Sequence, residues 1–168
     1  MTVSRYIDLL VSTFVVRRLA PWHENLTKRQ VRSPKVYLAD SGLLHTLLDI
    51  NSAAELDRHP KVGASWEGFL LEQVIRRLGA RRDQCFFWAT HKGAELDLLV
   101  KLGSRRLGFE FKRTVSPRVT PSMRIALQDL GLDGLDVIHA GPDTFQLASR
   151  IRAVAASRLI DDVTAGGR

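Results

Sequence analysis

The stretch AELDLLVKLGSRRLGFEFKRT, residues 94–114, predicts two β-strands joined by a tight turn. Side chains alternate between the two faces of a strand. One face of this hairpin therefore carries the apolar residues Leu96, Leu98, Val100, Leu102, Leu107, Phe109 and Phe111. The other face carries Glu95, Asp97, Glu110 and Lys112. An antiparallel hairpin often has one solvent-exposed face, which would account for these charges. The same charges also fit a metal site, and the hairpin alone leaves both interpretations open.

The composition indicates a folded protein with an excess of positive charge. Of its 168 residues, 45% are hydrophobic and 26% are charged, which suits one domain or one domain with a small appendage. The formal net charge is +7 and the isoelectric point is near 10.2. This charge favours a polyanionic partner, nucleic acid before membrane, although an arginine-rich composition also arises from genome bias.

The single cysteine and the absence of long apolar stretches argue against a disulfide-bonded, zinc-binding or membrane-spanning protein. Cys85 has no second cysteine with which to form an internal disulfide, and no Cys/His cluster surrounds it, which argues against a zinc site. The sequence contains no signal peptide and no apolar stretch of transmembrane length. We therefore expect a soluble cytoplasmic protein without a membrane partner.

The first 50 residues have the order helix, strand, basic loop, strand. Apolar residues recur at helical spacing over 3–12, and strands are predicted at 14–18 and 35–40. This order resembles the last half of a winged-helix unit, so residues 1–50 are interpreted as a partial winged-helix segment. Because nothing precedes the first helix to complete a three-helix core, we expect the chain to be the end of a longer protein.

The loop between those two strands carries a cluster of basic side chains. They are either a solvated loop or a wing that contacts DNA phosphates, as positively charged clusters often do. The second interpretation predicts four nucleic-acid-binding residues, Lys28, Arg29, Arg32 and Lys35.

The remainder of the chain predicts a second domain. Residues 51–63 are polar and are interpreted as a linker, residues 64–163 as the domain, and residues 164–168 as a disordered tail. Ser65 is expected to cap a helix that Gly79 terminates.

The element order of this second domain predicts its fold class. A helix is followed by three strands in a meander, a second helix and a further strand. The crossover through the second helix, at 120–131, places the strand after it parallel to a neighbour. The expected fold is therefore an α/β layer with a mixed sheet.

Asp97 and Glu110 are the candidate metal ligands. They lie on adjacent predicted strands with the same facing, and two converging carboxylates with water suit Mg²⁺ or Mn²⁺. Lys112 is on the same face, where an ammonium group can orient a water or stabilise a charged transition state. Glu67 shares the apolar face of the first helix, and a carboxylate there needs a partner that the metal site would supply.

This set of residues resembles the PD-(D/E)XK nuclease superfamily. The match consists of a helical Glu67, then Asp97, then Glu110-Phe111-Lys112 on a hairpin, within the order helix, meander, helix and strand. The resemblance implies a restriction-endonuclease-like sheet with catalytic residues Asp97, Glu110, Lys112 and Glu67. It implies that Asp97 and Glu110 hold the metal ion, with Glu67 in support.

A wider resemblance covers about residues 6–163. The chain is similar to the C-terminal domain of unknown function in a prokaryotic family of AAA-type ATP-binding proteins. The stretches that carry this resemblance are RYIDLL, KRQVRSPKVYLADSGLL, WEGFLLEQVI, FFWATHKGAELDLLV and FEFKRT. It implies a winged-helix segment joined to a nuclease-like domain behind an ATPase module.

The sequence departs from that family in lacking an ATPase motif. The nearest approach to a phosphate-binding loop is GSRRLG at 103–108, followed by Phe109 and Glu110 where the motif needs lysine and serine or threonine. We interpret this stretch as the hairpin turn. An AAA-type ATPase is then a partner or a fused module of relatives, and ATP hydrolysis is not assigned to this chain.

Two functions remain open from the sequence. The first is an enzyme, in which the carboxylates and Lys112 carry out Mg²⁺-dependent phosphodiester hydrolysis on DNA. The second is a non-catalytic DNA-binding or assembly module with the same fold, acting for an ATPase. The complete set of Asp97, Glu110 and Lys112 favours the first.

Overall fold

The computed structural model describes residues 2–23 and 33–164. Within these ranges the chain forms an eight-stranded mixed sheet with helices on both faces. In chain order the strands are β1 (Val16–Pro21), β2 (Lys35–Leu38), β3 (Cys85–Ala89), β4 (Glu95–Leu102), β5 (Arg105–Lys112), β6 (Gly134–His139), β7 (Phe145–Ala148) and β8 (Ile151–Ala155). Their order across the sheet is β2-β1-β3-β4-β5-β6-β8-β7.

The helices in the same ranges vary widely in length. They are α1 (Val3–Ser12), α2 (Ser41–Leu47), α3 (Ala53–Arg58), α4 (Val62–Leu78), α5 (Pro121–Asp129) and α6 (Leu159–Asp162), with 3₁₀ turns at Arg82–Gln84 and Ala156–Arg158. None of the described helices is long and apolar enough to cross a membrane.

Two apolar cores lie on opposite faces of the sheet. On one face α4 packs through Leu70, Leu71 and Val74, all at most 2% exposed. On the other face α5 packs through Met123 and Ala126, which are completely buried. Burial of such side chains from both faces is the main stabilising term for a sheet of this kind.

The expected meander and crossover are confirmed. Strands β3, β4 and β5 pair antiparallel in succession, and β6 pairs parallel with β5 after the α5 crossover. Arg105 lies opposite Leu102, and Gly103 takes φ +61° between them. This left-handed conformation suits glycine. Gly103 and Ser104 form the hairpin turn, and the rest of the GSRRLG stretch is the first half of β5.

The start of α4 differs from the prediction. The helix begins at Val62, not at Ser65, and Ser65 is buried within its second turn. The Ser65 hydroxyl forms a hydrogen bond of 2.7 Å with His45 Nε2 and so joins α4 to α2. At the other end Gly79 terminates the helix in the left-handed conformation, as predicted.

The first 50 residues are continuous with the sheet. β1 pairs antiparallel with β2 and parallel with β3, where Ala20 lies opposite Phe86. The stretch 51–63, interpreted as a linker, contains α3 and the start of α4. Strand pairing across this boundary makes the first segment an edge of the sheet that carries the hairpin.

A β-bulge in β4 changes which side chains share a face. Phe86 lies opposite Leu99, but Trp88 lies opposite Leu96, so two residues of β4 are opposite Phe87 alone. The expected apolar face of the hairpin is therefore wrong at one position. Leu96 packs in the α5 core, whereas Leu98 and Val100 pack in the α4 core. Asp97 and Leu98 are the two residues of the bulge, so the bulge changes the direction in which the predicted site residue Asp97 points.

Candidate functional site

Asp97 lies where β4 and β5 cease to pair. The ladder between these strands runs from Leu102 opposite Arg105 to Leu98 opposite Phe109. Beyond it, the backbone N–H of Phe111 donates to Asp97 Oδ2 over 3.0 Å. The carboxylate is only 4% exposed. A side chain thus takes the place of a ladder acceptor, which fixes Asp97 at the junction of the two strands.

Glu110 is a buried carboxylate with one oxygen left unpaired. The residue is 2% exposed, and its Oε2 accepts a contact of 2.7 Å from Lys112 Nζ. Its other oxygen, Oε1, has no hydrogen-bond partner among the residues that the structure describes. A buried carboxylate oxygen without a partner is costly, and such an atom indicates a site built for a ligand.

Lys112 brings the two carboxylates together. Its Nζ lies 2.7 Å from Glu110 Oε2 and 3.8 Å from Asp97 Oδ2. Its side chain is 39% exposed, so the ammonium group closes a buried acidic pair on the solvent side. Three of the predicted site residues are therefore in one place.

Glu67 reaches the same region but contacts other side chains. The Tyr37 hydroxyl donates to Glu67 Oε1 over 2.5 Å, and Lys35 Nζ lies 3.3 Å from that oxygen. The Glu67 side chain is 24% exposed. The position of Glu67 on the apolar face of α4 brings it near the hairpin, as predicted. Its direct contacts, however, are with Tyr37 and Lys35 of β2.

Lys35 connects Glu67 to Asp97. Its Nζ lies 3.6 Å from Asp97 Oδ1, and it sits over the ring of Phe87 at 5.6 Å from the ring centre. We define the carboxylate–lysine cluster as Glu67, Asp97, Glu110, Lys35 and Lys112. Lys35 is one of the four predicted wing residues, and the structure places its ammonium group in this cluster.

Tyr37 is the residue that sequence analysis missed. In the stretch KVYLAD, strand alternation places Lys35 and Tyr37 on the same face, and that spacing is the signal that could have found it. The other three predicted wing residues, Lys28, Arg29 and Arg32, lie outside the described residues, as does the predicted tail beyond Thr164.

The electrostatics of the cluster follow from burial and from neighbouring charges. Burial raises the pKa of Glu110, and the negative charge of Asp97 raises it further against the opposing effect of Lys112. Burial alone would lower the pKa of Lys112, but the negative charges of Glu110 and Asp97 outweigh it and the pKa is raised. The same balance, with Glu67 and Asp97, raises the pKa of Lys35. Both lysines are therefore cations at neutral pH.

The ligands available for a divalent cation are two carboxylates. Among residues 2–23 and 33–164 there is no group of three or more His, Cys, Asp or Glu side chains arranged to hold a metal ion. Asp97 and Glu110 nevertheless fit Mg²⁺ or Mn²⁺, because one buried oxygen of Glu110 lacks a partner and Mg²⁺ commonly keeps several waters beside one or two carboxylates. Glu67 is held by Tyr37 and Lys35 and does not join that pair.

Comparison with known proteins assigns a family to most of this sheet. Residues 62–159 match the domain of unknown function DUF4143. The chain belongs to the DUF4143 family. Domains of this family are known from AAA-ATPase-associated proteins. Residues 1–54 match a second domain of unknown function, DUF8612, so Lys35 and Tyr37 come from one family segment and the three carboxylates of the cluster from the other.

Two curated relatives extend well beyond this chain. They are the uncharacterized proteins Mb2031c of Mycobacterium bovis and Rv2008c of Mycobacterium tuberculosis. Each is 47% identical over 159 residues, which is 95% of this chain but 36% of the relative. The chain thus spans about a third of the length of these relatives. No solved structure matches the chain significantly.

Proposed function

We propose that this DUF4143 chain is a nuclease-like DNA-processing domain that carries out Mg²⁺- or Mn²⁺-dependent phosphodiester hydrolysis. The observation that carries the proposal is the buried pair Asp97 and Glu110, bridged by Lys112, with Glu110 Oε1 lacking a partner. Burying two carboxylates side by side is unfavourable unless a cation compensates them. A divalent metal ion bound for hydrolysis would supply that compensating charge.

Each residue has a distinct task in this proposal. Asp97 and Glu110 would hold the cation, which lowers the pKa of a bound water and neutralises phosphate charge when present. Lys112 orients the attacking water and stabilises the added charge on the phosphate. The water gives up one proton to solvent as its oxygen bonds to phosphorus, the bond from phosphorus to the leaving oxygen breaks, and that oxygen takes a proton from solvent.

The fold and the motif order support this function. A mixed sheet with α4 on one face brings Glu67 to the hairpin that carries Asp97 and Glu110-Phe111-Lys112. The PD-(D/E)XK resemblance implies the same chain order of a helical glutamate followed by these hairpin residues, although Glu67 binds Tyr37 and Lys35 instead of joining Asp97 and Glu110. The AAA-type ATPase of the wider resemblance would be a partner or a fused module of longer relatives. The basic residues Lys28, Arg29 and Arg32 would contact DNA phosphates.

A second candidate is a non-catalytic DNA-binding or assembly module with the same fold. One observation favours it: the ammonium groups of Lys112 and Lys35 already lie beside the carboxylates, so tethered cations balance part of the charge that a metal ion would balance. A cluster of this kind can hold the sheet together without turnover.

The test is cleavage of plasmid, linear and branched DNA with Mg²⁺ and with Mn²⁺, alongside Mn²⁺ binding by calorimetry. Asp97→Asn is the matched variant, since the amide oxygen can still accept from the Phe111 N–H while the charge is lost. We expect wild-type cleavage, and loss of both cleavage and Mn²⁺ affinity in Asp97→Asn. Cleavage that persists in Asp97→Asn would contradict the proposed site.

The same experiment separates the two candidates. A wild-type protein that binds DNA but neither binds Mn²⁺ nor cleaves any substrate would support the non-catalytic module. Repeating the assay on one of the longer relatives, with and without ATP, tests whether residues outside the matched third of that protein are needed for turnover.

A further inference from the structure

We infer that Lys35 binds a nucleic-acid phosphate inside the carboxylate–lysine cluster, and that Tyr37 is a positioning residue for it. The inference rests on the proposed function for the identity of the ligand, a phosphodiester. It adds a contact from the DUF8612 segment to a site that the hairpin motif alone does not contain. It also moves Lys35 from a general DNA-contacting loop to the place where the phosphate would react.

The contacts of Lys35 leave it able to bind an anion. Its hydrogen bond to Glu67 is 3.3 Å long, and its 3.6 Å contact with Asp97 exceeds hydrogen-bond length. An ammonium group has three N–H donors, and these contacts use one of them. The side chain is 30% exposed, so solvent or a ligand reaches it.

Lys35 differs in this respect from Lys112. Lys112 makes a close contact of 2.7 Å with Glu110, whereas the Lys35 contacts are all longer. Two ammonium groups on either side of Asp97 form a pair of cations with a carboxylate between them. A phosphodiester shares one negative charge between its two non-bridging oxygens, and Lys35 can bind one of them while Lys112 stays in contact with Glu110.

Tyr37 binds the Glu67 carboxylate, which is the carboxylate that Lys35 contacts by a hydrogen bond. Its hydroxyl donates to the same oxygen of Glu67 that Lys35 contacts. Burial, together with the negative charge of Glu67, raises the pKa of Tyr37, so it remains a neutral donor. Tyr37 thereby fixes the Glu67 carboxylate, and Glu67 fixes the direction in which Lys35 extends.

The test measures the affinity of a short DNA duplex for the whole chain with Ca²⁺, and separately with EDTA. The variants are Lys35→Met, Lys35→Arg and Tyr37→Phe. Lys92→Met is the matched control because Lys92 is an exposed turn residue and the change in net charge is the same. A second measurement follows acetylation of each lysine by mass spectrometry with and without the duplex.

We expect Lys35→Met to weaken duplex binding by about 10-fold or more, as the loss of a charge-assisted hydrogen bond implies. Lys92→Met should change it by less than about 2-fold, because Lys92 is an exposed turn residue outside the carboxylate–lysine cluster. Lys35→Arg should keep most of the affinity. The duplex should protect Lys35 from acetylation in the wild type, and less so in Tyr37→Phe.

Equal affinities of the Lys35→Met and Lys92→Met variants, with Lys35 acetylated equally fast with and without DNA, would overturn the inference. A wild-type protein that protects Lys35 but never cleaves DNA would overturn hydrolysis and leave the phosphate contact standing. Cleavage by the Lys35→Met variant at the wild-type kcat/KM would overturn the phosphate contact of Lys35 and leave hydrolysis standing. A wild-type chain that binds no duplex at all would overturn both. Thermal unfolding of each variant separates lost contacts from lost folding.

Discussion

Two kinds of buried or half-buried ion pair occur in this protein, and they differ in how many of their hydrogen-bonding groups have a partner. Arg17 binds Glu72 through two hydrogen bonds, one of them 2.9 Å long, and Arg152 binds Asp136 through bonds of 3.0 and 2.7 Å. The carboxylate–lysine cluster has one close contact, 2.7 Å between Lys112 and Glu110, and three longer ones of 3.3, 3.6 and 3.8 Å. It also has a buried carboxylate oxygen without a partner among the described residues.

The difference separates charges that only stabilise the fold from charges that are available to a ligand. A planar guanidinium matches a carboxylate with two parallel bonds and leaves little for a ligand to bind. A lysine is a point charge on a flexible stem, so it balances a carboxylate while leaving donors and acceptors available. The arginine pairs therefore contribute to the fold, and the carboxylate–lysine cluster is the better candidate for a functional site.

The largest expected effect on stability comes from breaking an arginine pair. Arg17→Met leaves the Glu72 carboxylate, whose side chain is 6% exposed, without its partner. We expect the free energy of unfolding to fall by about 3–5 kcal/mol, the usual cost of an uncompensated buried charge. Urea denaturation measures it.

A double variant is the control for that experiment. Arg17→Met with Glu72→Leu removes both charges, and apolar replacements of a buried pair are often neutral or stabilising. We expect most of the lost stability to return. A double variant as unstable as Arg17→Met would show that packing, not the orphaned charge, sets the cost.

The next effect in size is on turnover. Lys112→Ala removes the ammonium group assigned to the water and the phosphate, and leaves both carboxylates in place. We expect kcat for DNA cleavage to fall by about 10²–10³-fold, with DNA and Mn²⁺ binding largely unchanged, because the lost interaction acts in the transition state. Unchanged cleavage would assign the activity to another site or to a contaminant.

Sequence patterns sufficed for much of the fold and for the hairpin motif. The meander, the α5 crossover and the parallel pairing of β6 were predictable because apolar alternation and the Gly103 turn are local signals. The positions of Asp97, Glu110 and Lys112 near one another were predictable for the same reason, since adjacent strands bring matched residues together.

The parts that could not be predicted depend on long-range pairing. The β4 bulge is set by how β3 and β4 align, and a one-residue change in register moves side chains to the other face. Nothing local indicates that β1 joins β3 and so carries Lys35 and Tyr37 to the cluster. Their distance from Glu67 in the chain, about thirty residues, is closed only by the tertiary fold.

A smaller effect is the pH dependence of stability in the absence of metal. Burial and Asp97 raise the pKa of Glu110 from an ordinary 4.5 to about 8. Between these values the folded chain keeps a proton that the unfolded chain releases, so the free energy of unfolding falls as pH rises through this window, by at most about 1.4 kcal/mol per pH unit. Glu110→Gln should have a flatter profile in urea denaturation with EDTA. Identical slopes would place the proton elsewhere.

The smallest expected effect comes from an exposed pair beside the cluster. Asp57 on α3 contacts Arg113 over 2.6 Å, with side chains 63% and 40% exposed. We expect Asp57→Asn to lower the free energy of unfolding by less than about 1 kcal/mol, because water and salt screen both charges and two long side chains must be ordered to meet. The contact is shorter than any in the Arg152 pair, so distance alone would rank it as the stronger interaction. Urea denaturation at low and high salt decides the ranking. A cost that disappears in high salt would show that burial, not distance, separates the Asp57–Arg113 pair from the arginine pairs that stabilise the fold. A salt-independent cost equal to that of Arg17→Met would show that exposure does not weaken such a pair.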